Sequence, residues 1–266
     1  LSYDQVKAFT TTQLQAVETA DIAVLNSDQV SSLSATQVQA FTTAQVEKLS
    51  TGVIAGLSNT QVDALSTDQV VALTTDQVQA LSTAQVASLT SAQLNNMESA
   101  DIVALTTAQV RALSTDQLST LSADQMALIE TRDIAALSAD QAGVLSTDAI
   151  VALTTTQATA LTSAALNALD SGQLTAMETD DLAALTTAQV SKLSTAQLAL
   201  LSTDQISNLT TAQVKALSTS QISALTSDQL NTLSSDDLQT ISTSQIRGLT
   251  SDQLSTLSTD QLALLT

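Results

Sequence analysis

The sequence contains no cysteine, histidine, proline or tryptophan in 266 residues. Without cysteine there are no disulfides and no thiolate metal sites. Without cysteine or histidine, the usual nucleophile–base pairs of covalent catalysis cannot be built, and imidazole cannot ligate metal or heme. Glycine occurs only five times, so few positions suit a positive φ. Turns must then be made by Ser, Thr, Asp or Asn. Aromatics amount to 1%, which leaves Leu, Val, Ile and Ala to form any core. Seven basic residues stand against 26 acidic ones, for a net charge of −19. That balance opposes phosphate neutralisation and anionic membrane surfaces, and it favours solubility. No apolar run approaches the ~20 residues of a membrane-spanning helix, and no signal peptide opens the chain. Glycine-rich phosphate loops and glycine-rich calcium coils are also missing. Catalysis, a cofactor, nucleic-acid binding and membrane insertion are therefore not expected.

What is present is a repeat of eight residues that never slips. Every eighth position from Leu1 to Leu265 is Leu, Ile, Val, Met or Phe. Two successive units, Leu65–Ala72 and Leu73–Ala80, read L-S-T-D-Q-V-V-A and L-T-T-D-Q-V-Q-A. A fixed period without insertions signals a stacked array whose units cannot bury their apolar face alone. Residues 1–266 read as one continuous array of 33 octads. The chain opens in phase and without Met, as a segment of a longer protein would.

With octad positions labelled a to h from the large apolar residue, b is Ser or Thr in 27 of 33 units and e is Gln in 25. Ser or Thr followed three residues later by Gln is a capping box, in which the hydroxyl accepts from the N3 amide and Gln reaches back to the cap amide. The a and f residues then fall at N′ and N4, the two partners of a hydrophobic staple. Asp or Glu at d lies in the first turn, where the helix dipole favours it. One long helix is excluded, because a period of eight does not fit 3.6 residues per turn without a large supercoil. Val, Thr and Ile favour strands, so a β-solenoid is the alternative, although apolar h beside apolar a breaks strict alternation. The expected fold is mainly α: a solenoid of very short capped helices, one per octad. Its core is a, f and often h, with c, d and g facing water.

Four units depart together at two positions, with Glu replacing the b cap and Asp the e Gln. The pairs are Glu18/Asp21, Glu98/Asp101, Glu130/Asp133 and Glu178/Asp181. Two readings stand. Each pair is a weak Ca²⁺ candidate, offering carboxylate oxygens to a hard cation; or each is a variant cap in which Glu stands in as the acceptor. Two carboxylates are few for a tight site, and Arg132 lies inside the third pair. Two regions are degenerate: the unit Leu49–Gly56 lacks the Gln and ends in Gly, and between Leu137 and Ala176 the residues Ala142, Gly143, Ala149, Ala158, Ala165 and Gly172 thin the core or remove the cap partner. They read as drift in a redundant array, or as a softer segment where it bends.

The unit L-T-x-x-Q-V-x-A resembles the opening helix of the DNA-reading repeats of transcription activator-like effectors. Those repeats run to about 34 residues, a common helical-repeat length, with a second helix and a base-reading loop that this chain lacks. A fuller resemblance, spanning the whole chain, is to very large bacterial proteins with runs of L-T-T-x-Q-[VIL]-x-A-L octads, often labelled heme utilization or adhesion proteins. It implies a secreted or cell-surface array acting as a stalk, fibre, coat or adhesive. The in-phase ends, with no polar capping unit, predict self-association end to end or side by side. For the heme part of that label the sequence offers no ligand: Tyr3 is the only Tyr, and Met97, Met126 and Met177 occupy core positions. The other function expected of such an array is a binding module, presenting a regular Thr/Asp surface to carbohydrate, mineral or protein.

Overall fold

The computed structural model describes residues 2–265. Among the described residues the chain forms 33 helices of four to six residues, one per octad, and no strand. The β-solenoid alternative is thereby overturned, and the α-solenoid reading holds. The chain divides into two compact units, Leu1–Ala136 and Leu137–Thr266, each wound on the same plan.

Two successive extended residues connect one helix to the next. Thr74 caps the helix Thr75–Ala80 at φ −81°, ψ 158°, and Leu81 closes it at φ −60°, ψ 133°. The amide of Leu81 returns to the carbonyl of Val78 at 3.2 Å. No described residue has a positive φ. The chain reverses with β-region a and b residues alone, so the scarcity of glycine and proline costs nothing here.

Every unit with Gln at e forms the capping box. In the helix Thr115–Ser119, the Gln117 amide donates to Ser114 Oγ at 3.1 Å, and the Ser114 amide donates to Gln117 Oε1 at 2.8 Å. Beyond the box, the same glutamine is buried. Its Nε2 donates to the main-chain carbonyls of Val86 at 2.9 Å and Leu89 at 2.6 Å, 31 and 28 residues earlier. The register recurs in both units. Gln93 reaches Val62 and Leu65, and Gln205 reaches Leu174 and Met177. One turn of the winding therefore takes between three and four octads. Helices three octads apart pack together, as Thr83–Ser88 does on Thr107–Ala112. Gln5 and Gln13 are exposed.

The core is a stack of a and f residues. Leu113, Leu118, Leu121 and Met126 are 0–3% exposed. Burying such a side chain contributes about 1.5–3 kcal/mol, which a six-residue helix needs because it is unstable alone. Position h is only half-buried in most units. The alanines of the degenerate stretch are fully buried, Ala142 and Ala165 both at 0%. They let the helices Ala139–Gly143 and Ser163–Ala168 approach so closely that a Cβ on Gly143 would lie 3.0 Å from the Ala168 carbonyl oxygen. A Cβ on Gly56 would meet Ser27 Cβ at 2.7 Å. Both glycines mark close approaches between turns.

Gln117→Ala leaves the Ser114 amide and the Val86 and Leu89 carbonyls without their side-chain partner. It should lower stability by about 2–4 kcal/mol, against about 1 kcal/mol for Ser114→Ala and less than about 0.5 kcal/mol for exposed Lys215→Ala. Urea denaturation of the three variants checks this, and equal losses for Gln117 and Ser114 would remove the inter-turn role of glutamine. Gly56→Ala should destabilise. Gly52→Ala, with no neighbour nearer than 3.9 Å, should stabilise by about 0.5–1 kcal/mol; melting temperatures of the two variants give the comparison.

Candidate functional site

Eight units lack Gln at e. Three carry apolar replacements, Val53, Ala149 and Ala165, which are buried at 0–1% while Ser50, Ser146 and Thr162 still cap their helices. The other five carry Asp: Asp21, Asp101, Asp133, Asp181 and Asp237. Aspartate is one methylene shorter than glutamine and, when ionised, has no proton to donate. It cannot supply the rung between turns.

In the four Glu/Asp units the glutamate makes no cap hydrogen bond. Glu18, Glu98, Glu130 and Glu178 hold the extended cap backbone, but their carboxylates accept nothing from the N3 amide. The helix start is closed by the main chain, as where the Asp101 amide donates to the Glu98 carbonyl at 2.9 Å. The variant-cap reading is corrected to that extent. A glutamate carboxylate stands too far from its own backbone to do what the short Ser, Thr, Asn or Asp side chain does.

The aspartates have diverged in surroundings. Asp21, in the first turn, is exposed. Asp101, Asp133 and Asp181 are each 2% exposed. By the register of the ladder they belong opposite the carbonyls of Val70 and Leu73, Ile102 and Leu105, and Ile150 and Leu153. Asp133 is held through one oxygen: the Thr107 hydroxyl donates to its Oδ1 at 2.5 Å, and Arg132 Nε lies 3.6 Å from the same atom. Arg132 Nη2 is also 2.6 Å from Glu130 Oε2, so one guanidinium spans both carboxylates. Asp101 and Asp181 have no such cation, and in each Oδ2 is buried without a hydrogen-bond partner. The Thr155 hydroxyl donates to Asp181, and Thr75 holds the equivalent place 26 residues before Asp101.

The electrostatics follow from this geometry. Burial, reinforced by the nearby Glu98 carboxylate, raises the Asp101 carboxyl to about 6. Burial also raises Asp181; the hydrogen bond from Thr155 opposes the shift, and Glu178 and Asp180 add to it. Asp237 was missed by sequence reasoning because Ser234 keeps its b position ordinary. Its Oδ2 accepts from the Ser234 amide and hydroxyl at 3.1 and 2.6 Å, while Oδ1 is buried and unpartnered. The unit S-S-D-D-L carried the signal, an Asp at e. Among the described residues no group of three or more carboxylates gathers to hold a metal. Beside Arg132 a groove of about 670 Å³ is lined by Thr75, Gln79, Val103, Thr107 and Glu130.

A ladder of capped octads with interchangeable rungs defines a tandem-repeat α-solenoid. Seven stretches match the model of the ALTTAQ repeat family, at residues 14–51, 46–75, 94–128, 126–163, 174–211, 207–235 and 232–266. The chain belongs to that family. No curated protein matches it. Among solved structures it is similar to the leucine-rich repeat-containing protein LegL7 from Legionella pneumophila, at 12% identity and a TM-score of 0.25, over 85% of this chain and 79% of that one.

Asp101 makes stability depend on pH with a defined sign. Its folded value near 6 exceeds the ordinary 3.8, so the folded state holds the proton more tightly. The resulting stabilisation is full below about pH 4 and is lost as pH rises through about 6. Asp101→Gln should remove this dependence and, above pH 7 in chelator, raise stability by about 1–3 kcal/mol by replacing an unsatisfied carboxylate with a rung. Urea midpoints of both proteins between pH 4 and 8 check the prediction.

Proposed function

We propose that this chain is a structural repeat segment of a secreted or cell-surface bacterial protein, serving in a stalk, fibre or coat. The observation that carries the reading is the glutamine ladder. It joins turn to turn in one register and gives no octad a privileged role, as a load-bearing spacer requires and a dedicated site does not. Pulling a turn away from the next would break several charge-free hydrogen bonds at once. Cysteine-free, acidic composition suits an oxidising exterior. Among the described residues no helix is long and apolar enough to cross a membrane, so this segment is not itself proposed as an anchor. Copies associate end to end through the same donor–acceptor match that links turns, or side by side.

A second reading, a binding module for carbohydrate, mineral or protein, draws on the groove beside the Glu130–Arg132 ion pair, where Thr75 and Thr107 supply hydroxyls. Antibodies against the chain, applied to intact and to permeabilised cells of the source organism, separate exterior from interior. Labelling of intact cells is the expected result, and labelling only after permeabilisation would refute the exterior assignment. Glycan binding abolished by Arg132→Ala would move the assignment to the binding module.

A further inference from the structure

We infer that the Glu98/Asp101 and Glu178/Asp181 pairs each bind a hard cation between their carboxylates, as Arg132 spans the two carboxylates of the Glu130/Asp133 pair. The inference does not rest on the structural role proposed above.

Three observations converge on it. In ordinary units the e side chain places an amide nitrogen, Nε2, against the carbonyls of the preceding turn, at 2.6–3.2 Å for Gln93 and Gln117. In the Glu130/Asp133 unit the sequence supplies a cation of its own. Arg132 contacts Glu130 at 2.6 Å and Asp133 Oδ1 at 3.6 Å. In the remaining two buried copies the arginine position holds Ala100 and Asp180. There the aspartate is 98% buried with one oxygen unpartnered. The same motif thus occurs with its cation built in and, twice, with the carboxylates left to themselves. A buried carboxylate oxygen without a partner is costly, and a second carboxylate three residues away raises that cost.

The donors are oxygen only: two carboxylates, at the second site the Thr155 hydroxyl that bonds Asp181, and by register the Val70 and Leu73 or Ile150 and Leu153 carbonyls. Such a set selects Ca²⁺ or a similar hard ion over Zn²⁺ or Cu²⁺, which favour nitrogen and sulfur. With few protein ligands and water completing the shell, affinity falls at about 10⁻⁴–10⁻³ M, the range of weak extracellular Ca²⁺ modules. Asp180 adds negative charge at the second site, so that site should be the tighter. Glu18/Asp21 is exposed, and Asp237 has no partner glutamate; neither is included.

The test uses the full chain, freed of metal by chelator, at pH 7.5 and constant ionic strength, with CaCl₂ as the probe. Calorimetric titration should show two Ca²⁺ per chain, and 10 mM Ca²⁺ should raise the melting temperature by about 5–10 °C. The Asp101→Gln/Asp181→Gln variant installs the residue that 25 other units carry, so it should fold. It should lose both the binding and the thermal shift. Ala100→Arg copies the third unit and should remove one of the two sites. An undiminished Ca²⁺ response in the double glutamine variant would overturn the inference, because the diffuse acidic surface would then account for binding. So would the absence of any Ca²⁺ response alongside stabilisation on acidification to pH 5, which would show that a proton alone satisfies the two aspartates.

Discussion

Everything in this fold depends on one side chain meeting two demands at once. The glutamine at position e closes its own helix through Oε1 and holds the previous turn through Nε2. A six-residue helix has little stability of its own, and a two-residue link between helices has no turn-specific residues to fix its direction. The amide of glutamine couples the local start of a helix to the long-range winding, because the same planar group must satisfy both geometries. A carboxylate of equal length could accept from the cap but would repel the carbonyls behind it. An apolar residue could fill the space but would leave the carbonyls without a side-chain donor.

The sequence disclosed the helix per octad, the caps and the a/f core, because those are local patterns written within eight residues. Ser114 and Gln117 identify each other across three positions. The partner of Gln117 Nε2, however, is the backbone of Val86 and Leu89. Main-chain carbonyls carry no sequence signature, so neither the number of octads per turn nor the burial of glutamine could be read. Similarly, Ala142 and Gly143 looked like erosion in a linear reading, and only the nearness of Ala168 shows them to be a tight contact.

The Glu/Asp units were visible as paired substitutions, yet their significance was not. From sequence alone, the Glu98/Asp101 pair read either as a carboxylate pair for Ca²⁺ or as a cap of unusual type. The structure separates their roles: the glutamate leaves the cap, while the aspartate is carried into the interior by the position that glutamine elsewhere requires. Asp237 shows the converse, with an ordinary cap and the same buried substitution behind it. What distinguishes the buried copies is the residue between the pair, Ala100, Arg132 or Asp180; Arg132 stood out in the sequence, but that it spans both carboxylates is seen only in the structure.

The reach of the laddered glutamines to points 28 and 31 residues back has a consequence for how such a protein can change over time. Adding or removing a single residue would take out of register every rung whose reach spans the change, because 28 and 31 residues would become one more or one fewer. Adding or removing one whole octad leaves every rung with a carbonyl to meet, because any turn presents the same acceptors as any other. The chain is therefore brittle toward small insertions and tolerant of large ones. Its length is free to drift by recombination between units, in whole-octad steps, while its phase is held fixed.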